Sequence, residues 1–412
     1  MERIQVGCPC ATSLCSSFCA PHTTRKTPIE TLLSIILRRP EPVDHDSIYS
    51  VFAPEDVATL QLLSDPLDDW SAVADLLRRG ANLHVCDNTN STPLLRATRN
   101  GHYRVVELLL QSGADAAHQD FAGLTALDWA THYGDASLIR LLLPYFVNSA
   151  VLLIAVERNM PDVVRLFCTD SRVDVNYKNE EGSAALHNAC NTGFEQVVDV
   201  LLQHSEIQVD VMDASGGTPL LQACQHDHRS IAMALLEAGA NVNHADQSGD
   251  TPLLIATKCG YVKLVKILLR CGANVNVRDS YGTTVLLAAC NLASSSILQL
   301  ILPKVGNVEE TDSCHLSPLF LATDRGNREM VRLLLHAGAS IHESDDDFTP
   351  FLLAIVQGRT EIVSEMLQHG TYADDDPTPL QTALSAGQLD VVYLLLRGDP
   401  LAQLQTIVSR AA

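Results

Sequence analysis

The 412 residues of this chain repeat themselves at a spacing of roughly 33, and that period limits the fold more than any single motif does. When units are aligned on the alanine five residues after a threonine, the threonine position falls at 92, 125, 150, 184, 218, 251, 284, 317, 349 and 378. The steps are 33, 25, 34, 34, 33, 33, 33, 32 and 29 residues. Thr-Pro itself stands at Thr92-Pro93, Thr218-Pro219, Thr251-Pro252, Thr349-Pro350 and Thr378-Pro379, with Ser317-Pro318 close to it. The exits recur as well: "QSGAD" at 111–115, "EAGANVN" at 237–243, "RCGANVN" at 270–276 and "HAGAS" at 336–340. A degenerate unit precedes these, because "DLLRRGANLHVCD" (75–87) has the exit without the entry.

One unit, Asp250 to Val275, shows what the period means physically. Thr251 is an N-cap whose hydroxyl can accept from the first-turn amides, and Pro252 suits the first helical position. Leu253, Leu254 and Ala256 make a short apolar stripe, and Gly260 can take the left-handed conformation that ends a helix. Val262, Leu264, Val265, Ile267, Leu268 and Leu269 make a second apolar helix, stopped by Gly272. Neither helix is long enough to be stable alone in water. Each hairpin buries its apolar faces only by stacking on the next. The expected fold class is therefore all-α, a solenoid of stacked hairpins roughly 100 Å long at about 10 Å per unit. The period overrides the two or three globular domains that the length would otherwise suggest.

The pattern resembles the ankyrin-repeat family, whose G-x-T-P-L-H-x-A entry and L-L-x-x-G-A-D-V-N exit match over residues 55–398. The resemblance implies helix-turn-helix units joined by short β-hairpin or loop fingers. It places a degenerate first repeat at 55–88 and the remaining repeats at 89–398. The family's histidine after the leucine survives only at His187. Elsewhere that position holds Leu95, Asp128, Leu221, Leu254, Leu287, Phe320, Leu352 or Gln381. In the family it ties adjacent loops together, so those ties are expected to be weak here. Asn159 and Asp227 replace the inter-helix glycine and tolerate the left-handed region. Ala293 does not, so its turn is expected to differ. The 25-residue step leaves no room for a finger in "LLLPYFVNSAVLL", and irregular stacking is expected at 143–150.

Outside the repeats, residues 1–26 read as a Cys-rich, disordered tail and 27–54 as a helix and linker, with Thr27 and Glu30 forming a capping box. The stretch "DPLAQLQTIVSRAA" (399–412) reads as a capping helix: Asp399 is its N-cap, Pro400 its first residue, and Leu401, Leu404, Ile407 and Val408 share one face. Cys8, Cys10, Cys15 and Cys19 leave zinc, palmitoylation or an uncommitted tail open, though C-x-C-x4-C-x3-C is not a usual zinc spacing.

The chain carries 28 Lys+Arg against 49 Asp+Glu, and residues 1–54 hold five of each, so the whole charge of −21 lies on the repeats. That argues against nucleic acid as the main partner. Solubility and attraction of a basic protein partner are both consistent with it. The runs "SDDD" (344–347) and "DDD" (374–376), with Asp345, Asp346 and Asp374, fall at expected finger tips. No run reaches the length of a membrane span and no signal peptide is visible. Of twelve cysteines, Cys190, Cys224 and Cys290 share one small, buried repeat position, which favours thiols in a reducing cytoplasm or nucleus.

Phase also dissolves "CQHDHRS" (224–230) as a metal cluster: Cys224 is core, Asp227 replaces the turn glycine, His228 follows it, and only His226 should project. No enzyme signature is present, and no catalytic, cofactor or metal site is expected. What remains is a protein-binding surface. Carried over from the family by phase, its helix positions are Arg99 and Asn100, His132 and Tyr133, Asn191 and Thr192, Gln225 and His226, Lys258 and Cys259, and Asp324 and Arg325. The finger positions include Phe121, Glu180, Glu181, Gln247 and Tyr281. Hot spots favour aromatic residues and arginine, so Tyr133, Tyr281, Arg99 and Arg325 rank first. Trp129 falls on a core-facing position. The reading is a monomeric, non-enzymatic scaffold or adaptor binding a protein on a concave, acidic face. The alternative is a substrate receptor of a ubiquitin ligase.

Overall fold

A helix of seven or eight residues leaves most of its backbone groups without intrahelical partners, so its ends decide whether it forms. The computed structural model describes residues 70–396, apart from residue 79 and the segments 343–348 and 370–377. The residues 1–69 and 397–412 and the acidic runs at 344–347 and 374–376 thus lie outside the described residues. The described chain forms two units, over 70–213 and 214–396.

The first unit opens with α1 (Trp70–Arg78), the second helix of the degenerate repeat. Four inner–outer pairs follow: α2 (Pro93–Arg99) with α3 (Tyr103–Gln111), α4 (Ala126–Tyr133) with α5 (Ala136–Leu142), α6 (Ala150–Glu157) with α7 (Pro161–Cys168), and α8 (Ala185–Thr192) with α9 (Glu195–Leu202). The second unit contains α10 (Pro219–Gln225) and α11 (Arg229–Glu237), then α12 (Pro252–Lys258) and α13 (Val262–Arg270). After them come α14 (Val285–Asn291) and α15 (Ser295–Ile301), which runs into a short 3-10 turn. The remaining pairs are α16 (Pro318–Asp324) with α17 (Arg328–His336), α18 (Pro350–Val356) with α19 (Thr360–His369), and α20 (Thr378–Ser385) with α21 (Leu389–Leu395). Within each unit every inner helix packs on its own outer helix and on the next inner helix. Among the described residues there are no strands, only isolated antiparallel bridges at Lys178–Ala184 and Arg278–Thr284. No described helix is long and apolar enough to cross a membrane.

The entry hydroxyls cap many of the inner helices, although Thr218 of α10 makes no cap hydrogen bond. The hydroxyls of Thr92, Thr251, Thr284, Ser317 and Thr349 each accept from the amide three residues on, at 3.2–3.4 Å. Two repeats strengthen the cap from the family's histidine position. Thr125 N–H donates to Asp128 Oδ2 at 2.7 Å, and Ala184 N–H donates to His187 Nδ1 at 3.1 Å. Below the caps the apolar residues close the core: Leu264, Val265 and Leu268 of α13 are fully buried. Cys190, Cys224 and Cys290 are fully buried too, and burial pushes the thiols of Cys224 and Cys290 well above their ordinary range. They serve as small hydrophobes.

Between Leu142 and Ala150 there is no finger: residues 143–149 run directly from α5 to α6 without a β-bridge. The next exit loop stitches this connector down. Arg172 Nη2 donates to the Leu143 carbonyl at 2.8 Å, and Asp174 N–H donates to Ser149 Oγ at 2.9 Å.

The turn at Ala293 does not differ from the others, which corrects the expectation from its side chain. Its φ is 58°, in the left-handed region with Asn159 at 52° and Asp227 at 56°. Ala293 N–H bonds Cys290 O, and Ser294 N–H bonds Ala289 O. The methyl group is carried at a cost of about 1–2 kcal/mol. Ala293→Gly is therefore expected to raise the stability of the second unit by about 1 kcal/mol. Gly260→Ala, at φ 78° and with a Cβ only 2.9 Å from Leu292 Cδ2, is expected to lower it. Urea unfolding of the two variants beside the wild type measures both signs.

Candidate protein-binding face

Three of the fingers are built on one acidic side chain used twice. Asp120 Oδ1 accepts from the amides of Ala122 and Leu124, closing its own loop at 2.9 and 3.1 Å. Its second oxygen, Oδ2, accepts from Trp129 Nε1 at 2.9 Å, anchoring the loop to α4. Asp87 does the same with Thr89, Ser91 and the Arg96 guanidinium. Asp279 does it with Tyr281, Thr283 and the Lys258 ammonium. Asp246 and Asp312 close their loops on the same backbone positions.

Adjacent fingers are tied backbone to backbone. Phe121 N–H donates to Thr89 O, Gln247 N–H to Ser215 O, and Ser280 N–H to Ser248 O. His118 Nε2 reaches Asn90 O at 2.9 Å, and His244 Nε2 reaches Gly216 O at 2.8 Å. The expectation of weak loop ties is thus corrected: histidines and amides elsewhere in the fingers make them. The asparagines of the exits add more, as Asn243 Oδ1 accepts from Asn274 N–H and Asn276 Oδ1 from Gly306 N–H.

The helix positions predicted for binding divide into those engaged within the protein and those left outward. Arg99 lies with its guanidinium carbon 4.6 Å from the centre of the fully buried Trp129 ring, a cation–π contact. Tyr133 stacks on the same indole, centroids 5.9 Å apart at 23°, and remains half-exposed. The expectation that His132 faces outward is corrected. It is 7 % exposed, and Arg158 Nη2 lies 2.8 Å from its Nδ1. Burial first, and the Arg158 charge second, lower its pKa to about 4, so the imidazole is neutral.

In the second unit Lys258 is held between Asp250, at 2.6 Å, and Asp279, at 2.9 Å. Burial opposes its charge, but the two carboxylate hydrogen bonds outweigh that and raise its pKa. Gln225 O accepts from Tyr261 Oη. Arg325 donates to Asn291 Oδ1, and Asp324 Oδ1 accepts from Gln357 Nε2. Asn100, Asn191, Thr192 and His226 are exposed, whereas Cys259 is half-buried. On the fingers Phe121 is 78 % and Tyr281 55 % exposed, and Glu180, Glu181 and Gln247 are exposed beside loops of their own. Gln247 also returns its side chain to Ala214 O at 3.0 Å.

Sequence reasoning missed Arg158, Asp250, Asn291 and Gln357, the groups that engage the predicted residues. The signal was available: two of them, Arg158 and Gln357, stand at the residue just before a turn glycine or its substitute, one repeat beyond the residue they hold.

The family profile for ankyrin repeats (3 copies) matches residues 67–150, 152–246, 208–279, 253–345 and 319–403. The ankyrin repeat protein YahD of Escherichia coli (strain K12) is 28 % identical over 185 residues, 44 % of this chain and 79 % of that protein. The B-cell lymphoma 3 protein homolog of Mus musculus is 31 % identical over 173 residues, 42 % of this chain and 34 % of its own length. The rice (Oryza sativa subsp. japonica) protein XBOS33, named as an E3 ubiquitin-protein ligase, is 41 % identical over 78 residues, 19 % of this chain and 15 % of that protein.

The buried neutral His132 has a consequence for acid stability. In the unfolded chain its imidazole takes up a proton below its ordinary value of 6.5, whereas the folded one stays neutral down to about 4. The unfolded state therefore binds more protons in that window, and stability present above pH 6.5 is lost as pH falls towards 4. The loss is expected to be roughly 1–3 kcal/mol. Urea midpoints measured across the window should fall more steeply for wild type than for His132→Gln.

Proposed function

Since this chain belongs to the ankyrin-repeat family, whose repeats bind protein partners, we propose that it is a non-enzymatic scaffold or adaptor. Its partner docks on the inner-helix ends and finger tips. The observation that carries this reading is a contrast seen in each unit by itself. Arg99, His132, Lys258, Asp324 and Arg325 are engaged with a neighbouring repeat, while Phe121 and Tyr133 in the first unit and Tyr281 in the second point large, half-open or open rings outward from backbones fixed by their own hydrogen bonds. A rigid aromatic group on a pinned loop loses little entropy when a partner covers it. Aromatic residues are also favoured hot spots.

The partner proposed is a protein with a basic surface, because the net charge of −21 belongs to the repeats. The ubiquitin-ligase alternative draws on a likeness limited to 15 % of the rice protein and is less well supported. Affinity capture from cell extract distinguishes the two, since cullin and elongin subunits among the bound proteins would favour the ligase.

With a captured partner in hand, Tyr281→Ala is expected to weaken binding about tenfold and leave the melting temperature nearly unchanged. Leu268→Ala, at a fully buried position, should instead cost roughly 2–5 kcal/mol of stability. Raising salt should slow association more than it speeds dissociation. Unchanged binding in Tyr281→Ala, Tyr133→Ala and Phe121→Ala would move the site off this face.

A further inference from the structure

The second unit contains its own measure of what a covered repeat looks like. Six residues after each cap stand Cys224, Thr257, Cys290, Thr323 and Ile355, all 0 % exposed. The matching residue of the last described repeat is Leu384, and it is 48 % exposed. The outer helices agree. Ala232, Val265, Leu298, Val331 and Val363 occupy one position and are fully buried, whereas their counterpart Val392 in α21 is only half-buried. Both helices of this repeat are thus open at the two positions that every earlier repeat of the unit closes. Leu389 and Tyr393 add further exposed apolar surface to α21. Leu384 is as large and apolar as Ile355 at the same position, yet it is open where Ile355 is covered. A repeat stack needs such a face covered.

We propose that residues 399–412 of this chain are the cover. They begin four residues after α21 ends at Leu395, a reach of about 13 Å, enough to turn back across a helix about 10 Å wide. Asp399 and Pro400 supply the same entry chemistry that starts the repeats, a capping side chain followed by proline. Leu401, Leu404, Ile407 and Val408 then fall on one helical face, and Gln403, Gln405, Thr406 and Ser409 on others. The apolar side meets Leu384 and Val392 and the polar side meets water.

Hydrogen exchange of the full chain, read in peptides spanning 378–396, tests this against a chain ending at Gly398. Removal of 399–412 is expected to speed exchange there about tenfold, with peptides from α12 and α13 unchanged. Full-length Ile407→Asp should do the same. Leu384→Asn combined with Ile407→Asp should be no worse than either alone, because both changes break one contact. Unchanged exchange on truncation would overturn the proposal. So would additive effects of the two substitutions, or protection that rises with protein concentration, which would give the face to a second copy of the chain.

Discussion

A helix of seven residues cannot hold itself together in water, and everything else in this protein depends on that limit. Each inner helix ends before it has gained enough hydrogen bonds to repay its nucleation. Its stability comes from the helices packed around it in its unit and, in many repeats, from a capped start. Hence the buried apolar residues of every repeat, the thiols used as small apolar groups, and the acceptance of a left-handed alanine at Ala293.

The same dependence shapes the candidate binding face. Side chains at the ends of the inner helices lie within reach of the neighbouring repeats, and several of the polar ones are drawn into contact with them. Lys258 joins Asp279, Arg325 joins Asn291, and His132 is closed in by Arg158. The fingers obey a different rule. Their aspartates use one oxygen to close the loop and the other to fasten it, so the loop backbone is fixed while its tip stays in water. In each unit the finger backbone is thus held while an aromatic ring, Phe121 in the first and Tyr281 in the second, stays exposed at a tip.

Much of this was legible in the residues. Thr-Pro gave the helix starts, and the glycine turns gave the helix ends. The 25-residue step located the missing finger at 143–149. The position of Trp129 in the core followed from phase alone. The fate of the charged and polar candidates was less legible, because it turns on the residue one repeat away. Phase identifies which residue points towards the face, but two residues some 26 to 34 positions apart decide together whether either is exposed.

The sequence by itself determined the architecture, because a repeated apolar period admits few ways to bury its faces, and it determined where each helix begins, because capping is a matter of nearest neighbours. Only the tertiary structure decided which of the predicted side chains stay exposed. It also decided that Ala293 would take a glycine's conformation, that the finger ties would come from His118, His244 and the exit asparagines, and that Leu384 would be left open. The reason is common to all four. Caps and periods are local properties that a few adjacent residues fix, whereas exposure and strain are settled by groups that meet only after the repeats have stacked.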